Sequence, residues 1–117
     1  MEMKRIYVCS PLGEQLKEDL KTAEAYAAFV MKKGELPVWP LSLLTLTDGE
    51  SNEARALIRL SGKNLLWLCD EIWVFGEVTP EMEEELHFAK QMNLPVKKIL
   101  AEEVKKFKEK LKKEKRK

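Results

Sequence analysis

Runs of β-forming residues alternate along the chain with stretches whose apolar positions recur every three or four residues, the pattern of βαβ units and a parallel sheet. Arg5-Ile6-Tyr7-Val8-Cys9 makes a first strand and stops at the turn cluster Ser10-Pro11-Leu12-Gly13. From about Glu14 to Lys33, the residues Leu16, Leu20, Ala23, Ala27, Val30 and Met31 share one helical face, and Gly34 suits the left-handed residue that ends a helix. Leu36-Pro37-Val38-Trp39-Pro40 predicts a short strand, and its prolines, lacking an N–H, place it at or near a sheet edge. Residues 41–50 form a connection in which Thr47-x-x-Glu50 has the form of a capping box. The next helix runs to about Leu68 with Ala54, Leu57, Ile58, Leu65 and Leu66 facing inward. Glu71-Ile72-Trp73-Val74-Phe75 is nearly all apolar, as expected of a central strand buried on both faces, and Gly76 ends it. Thr79-Pro80 joins an N-cap to proline at the first helical position, opening a helix that reaches about Met92. Leu94 to Leu100 is a last strand, and Val104, Phe107 and Leu111 form the stripe of a C-terminal helix that frays at its end.

The expected fold is α/β, a three-layer open sheet of four to five parallel strands of the flavodoxin or Rossmann kind. Residues 1–100 make the domain, and residues 101–117 add a basic helix and tail to it. Ligands of such sheets bind beyond the carboxyl ends of the strands, where the strand order reverses. Attention therefore falls on Cys9–Gly13, Trp39–Leu44 and Gly76–Glu85.

A chain of 117 residues holds one domain. Hydrophobic residues at 44% and charged residues at 35% exclude a disordered chain and a membrane protein. No apolar run approaches the ~20 residues that a bilayer span needs. The start, MEMKRIYVCSPLGE, lacks the apolar core and cleavage site of a signal peptide. Cys9 and Cys69 are too few for a disulfide framework and lack metal-ligand spacing, and His87 is the one histidine. A reduced, cytoplasmic protein without a metal site is expected. Residues 101–117 hold nine Lys and Arg against four Glu, a local charge of +5, which leaves −4 on residues 1–100 of a chain whose net charge is +1. The folded body is mildly acidic, which argues against DNA or RNA as the main partner.

Ser10 sits where a strand turns into a helix, and amides there suit an anion or a sugar hydroxyl; a plain turn with Ser10 as cap explains it equally well. Cys9 has no histidine or basic neighbour and is expected to be a small buried hydrophobe. Glu85 falls three residues after Met82, on or beside the apolar stripe of Met82, Leu86, Ala89 and Met92. A carboxylate there costs free energy unless it is paired or used, although a flank position reaching water is the simpler reading. Glu83 and Glu84 point elsewhere and complement the helix dipole, and His87 lies outside. Trp39, Trp67 and Trp73 fit core and interface better than a base-stacking platform, with Trp39 at a strand end able to line the cleft.

Arg5-Ile6-Tyr7-Val8-Cys9-Ser10-Pro11, Cys69-Asp70-Glu71-Ile72-Trp73-Val74-Phe75-Gly76 and Met82-x-x-Glu85-Leu86-x-x-Ala89 together resemble the nucleoside 2-deoxyribosyltransferase-like superfamily, in particular its small DUF4406-type branch, over about residues 4–99. The resemblance implies cleavage or transfer at the N-glycosidic bond of 2′-deoxynucleosides or their 5′-monophosphates, through a glutamate nucleophile. That nucleophile falls on Glu85, the tyrosine that orients it on Tyr7, and the sugar- or phosphate-holding loop on Ser10, Pro11 and Gly13. Trp39, Gly76, Thr79 and Glu81 complete the substrate-binding candidates, a homodimer is implied, and no metal or redox cofactor is. Three positions depart from the pattern: Glu81 replaces a glycine, Gly62 an aspartate that handles the base's proton, and Leu41 a histidine. Loss of a general acid costs about 10²–10⁴-fold in rate. Two other readings therefore stand beside the enzyme: a non-catalytic nucleotide-binding module, and an interaction protein whose basic C-terminal helix meets an acidic partner.

Overall fold

The structure, a computed structural model, describes residues 2–49 and 51–115. The elements run β1 (Arg5–Cys9), α1 (Leu16–Lys32), β2 (Leu36–Val38), a 3₁₀ segment (Pro40–Leu46), α2 (Asn52–Leu66), β3 (Glu71–Val74), α3 (Pro80–Gln91), β4 (Val96–Lys98) and α4 (Ala101–Lys115). Four parallel strands form one sheet in the order β2-β1-β3-β4. The chain moves from β1 outward to β2, then returns past β1 to β3. The order therefore reverses between β1 and β3, the place where open parallel sheets leave a crevice at their carboxyl ends.

Alternation along the two central strands builds the three layers. Ile6, Val8, Trp73 and Phe75 point to one face and pack with Phe29 and Val30 of α1 and Val104 of α4. Tyr7, Cys9, Ile72 and Val74 point to the other and pack with Leu66 of α2 and with Met82 and Ala89 of α3. A third cluster of Leu16, Ala23, Leu41, Leu44 and Ile58 ties α1, the 3₁₀ segment and α2 together. β2 is an edge strand, as its prolines required, and no helix among the described residues is long and apolar enough to cross a membrane.

Several local expectations need correction. The 41–50 connection is largely helical, because Pro40 with its fixed φ starts a 3₁₀ turn. Thr47 closes that segment, its hydroxyl donating to the Leu44 carbonyl at 2.6 Å. α2 is instead capped by Ser51, which accepts from the Ala54 N–H at 3.0 Å; Glu50 lies outside the described residues. Met31 and Leu57 are 53% and 46% exposed rather than inward, since each flanks a buried stripe centred on smaller residues. α1 begins at Leu16, two residues later than expected. β4 keeps only Val96–Lys98 of the expected seven residues. Gly34 does end α1 with φ +85°.

Candidate active site

β1 ends at the switch point, and alternation sends Tyr7 and Cys9, both fully buried, toward α2 and α3. α3 starts behind Thr79, whose hydroxyl accepts from the Met82 N–H at 3.3 Å. Met82 and Ala89 anchor the helix on the sheet, so Glu85, between them on nearly the same side, turns its carboxylate inward. The Tyr7 hydroxyl donates to Glu85 Oε2, and the Cys9 thiol lies 3.9 Å from Oε1. Gly62 of α2 closes the arrangement. A Cβ at that position would lie 2.7 Å from the Tyr7 hydroxyl oxygen and 3.8 Å from Glu85 Oε2.

Tyr7, Gly62 and Glu85 form one wall of an open cleft. Ser10, Trp39, Leu41 and Ile58 also line it, with the charged side chains Arg59, Lys63, Glu81 and Glu84. Burial pushes the Glu85 carboxyl up to about 7, against the pull of the Tyr7 hydrogen bond; nearby Glu84 and Glu81 push the same way as burial. Burial, and then the charge of Glu85, raise the Tyr7 hydroxyl and the Cys9 thiol well above their ordinary values. At neutral pH Tyr7 and Cys9 keep their protons, and Glu85 is the group able to gain or lose one. The Trp39 Nε1–H is buried without a hydrogen-bond partner among the described residues, a donor that an acceptor on a ligand would satisfy.

The cleft thus unites Tyr7, Ser10, Trp39, Glu81 and Glu85 of the sequence candidates, and leaves out Pro11, Gly13, Gly76 and Thr79. The Gly13 amide expected to hold an anion is already taken, donating to Asp19 Oδ2 at 2.6 Å. Gly76, at φ +75°, packs against Pro11, where a Cβ would meet the ring at 3.2 Å. It opens onto a different groove beside Tyr26 and Phe75. The Thr79 hydroxyl is occupied as the α3 cap. Glu84 does not merely complement the helix dipole. It bridges to Lys63 at 2.6 Å and Arg59 at 3.4 Å, tying α3 to α2 and holding its own carboxyl below the usual range. Arg59 and Lys63 were missed as cleft residues, although their four-residue spacing on α2 was readable as a cationic stripe. His87 is exposed, as expected.

Fold and site together define a small parallel α/β protein with a half-buried titratable carboxylate, that of Glu85, at the strand switch point. The chain belongs to the family described as a domain of unknown function, DUF7768, which matches residues 4–99. No curated protein matches it.

Proposed function

We propose that the cleft binds a nucleoside or nucleotide and that Glu85 opens its N-glycosidic bond. In this reading a Glu85 oxygen forms a bond to the anomeric carbon as the carbon–nitrogen bond breaks. The electron pair leaves with the base, which takes its proton from water. Water then attacks the sugar ester, releasing free sugar and the carboxylate, or the nitrogen of a second base attacks and a new nucleoside forms. Tyr7 holds Oε2 and leaves the other oxygen facing only a weak thiol donor. The observation that carries this reading is the inward carboxylate of Glu85, held by the Tyr7 hydroxyl on the wall of a cleft at the strand switch point. The unpartnered Trp39 Nε1–H supports it as a donor to a base or sugar acceptor. The protein works in this reading as a cytoplasmic homodimer without metal or redox cofactor.

A second reading has its own observation. Position 62 offers no acid to protonate a departing base, which favours a module that binds the ligand without cleaving it. Incubation with a panel of 2′-deoxynucleosides and their 5′-monophosphates, followed by chromatography, separates the two. The enzyme releases free base, and Glu85→Gln lowers release on the order of 10³-fold or more while the fold persists. Release retained in that variant removes Glu85 as nucleophile. Thermal stabilisation by these ligands with no base released selects the binding module.

A further inference from the structure

Gly62 lies inside α2, is buried, and has an ordinary helical backbone, so no turn or positive φ requires a glycine there. Glycine weakens a helix interior, and such a residue is kept where something approaches the backbone closely. Here that something is a hydroxyl. The nearest atom to a Cβ at position 62 would be the Tyr7 hydroxyl oxygen at 2.7 Å, followed by Pro40 Cγ at 3.4 Å. Tyr7 cannot step aside, since its strand is paired on both edges and its ring is fully buried. A methyl group at 62 would therefore push the hydroxyl away from Glu85, the one acceptor it has among the described residues.

We propose that Gly62 is a positioning residue, whose missing side chain makes the socket that seats the Tyr7 hydroxyl on Glu85. The proposal deepens the reading of Glu85 as the working carboxylate and rests on it for its functional meaning. Residues 7 and 62 are then complementary in this chain: with the Tyr7 hydroxyl seated on Glu85, position 62 has no room for a side chain, and removal of that hydroxyl frees the space.

The test is a double-mutant cycle of Gly62→Ala, Tyr7→Phe and the pair, read by thermal unfolding and by the carbon NMR titration of the Glu85 carboxyl. Gly62→Ala alone is expected to lower the melting temperature by about 5–10 °C. It should also raise the Glu85 midpoint, because the hydrogen bond that favours the charged form is lost. In the Tyr7→Phe background the same change is expected to raise the melting temperature by a few degrees, alanine being the better helix former. The Glu85 midpoint should move no further there. An equal loss of melting temperature in both backgrounds overturns the proposal, as does an unmoved midpoint in Gly62→Ala. Should Gly62→Ala fail to fold, a folded double variant upholds the socket and an unfolded one sinks it. Absence of base release from the wild-type protein would defeat the glycosidic reading without touching this cycle.

Discussion

Charge taken from water must be compensated, and at the scale of single residues Glu85 carries the least compensated charge in the cleft. One hydroxyl and one weak thiol face its carboxylate, while Glu81 and Glu84 on its own helix repel it; the cations Arg59 and Lys63 are spent on Glu84. Its carboxyl is raised from 4.5 to about 7, so the folded protein holds this proton more tightly than the unfolded chain does. The associated stability is complete below the unfolded value and is lost as pH rises through the folded one. From pH 4.5 to 7 the loss amounts to on the order of 3 kcal/mol. Denaturant titrations of the wild type and Glu85→Gln should therefore agree near pH 4.5, with the variant more stable at pH 8. A variant less stable than wild type at pH 8 would mean that the carboxylate is compensated in its charged form. The spacing to Met82 put Glu85 on or beside the apolar face but left a flank position reaching water as the simpler reading, which the inward contact with Tyr7 corrects. Its partner was not legible, because Tyr7 and Glu85 stand 78 residues apart and no periodicity relates a strand to a helix so far along the chain.

At the scale of elements, α4 has a role that its lysine-rich composition disguises. Val104 is 6% exposed and shares a cluster with Phe29 and Ile99, and the Phe107 ring meets Phe29 edge-on at 5.8 Å. The folding unit therefore extends past residue 99, where the family match ends. Truncation after Leu100 removes both side chains, and large-to-small losses of this kind cost about 2–5 kcal/mol each. A fall in melting temperature of about 10 °C or more is expected; an unchanged value would show α4 to be an appendage. Element types were readable because strands and helices repeat their apolar residues at different periods. The 3₁₀ segment was not, since seven residues hold barely two turns and Pro40 reads equally as a strand end. Helix faces were located only to within a residue. Phe29 is buried and its neighbour-but-one Met31 exposed because α4, an element distant in sequence, decides which side of α1 is covered.

At the scale of the whole molecule, a face at α2 is left uncovered by the described residues. Leu57 and Leu60 on α2, and Trp67 and Leu68 just past its end, stand 46%, 59%, 64% and 55% exposed, away from the stripe of Ala54, Ile58 and Leu66. They make an apolar patch on the order of 400 Å², within the range that marks association surfaces. In the proposed homodimer, antiparallel pairing of two α2 helices would set the Leu57 end of one stripe on the Trp67–Leu68 end of the other, a self-complementary contact. Sedimentation equilibrium is expected to show a dimer that Leu60→Glu converts to a folded monomer. A wild-type monomer at every concentration would reject the pairing.

Much of the architecture follows from the order of residues alone: the alternation of strands and helices, the edge position of the proline-bearing strand and the Thr79 cap are local consequences of period, propensity and backbone chemistry. The tertiary structure alone decided which of the marked residues meet. It drew Ser10, Trp39 and Glu81 into the cleft with Tyr7 and Glu85. It spent the Gly13 amide on Asp19 and the Thr79 hydroxyl on a cap, and brought the Gly62 backbone against the Tyr7 hydroxyl. The physical reason is that a hydrogen bond or a close contact is set over a few ångströms in space, whichever stretch of chain supplies the other partner, whereas sequence pattern carries information only across the few turns of one element.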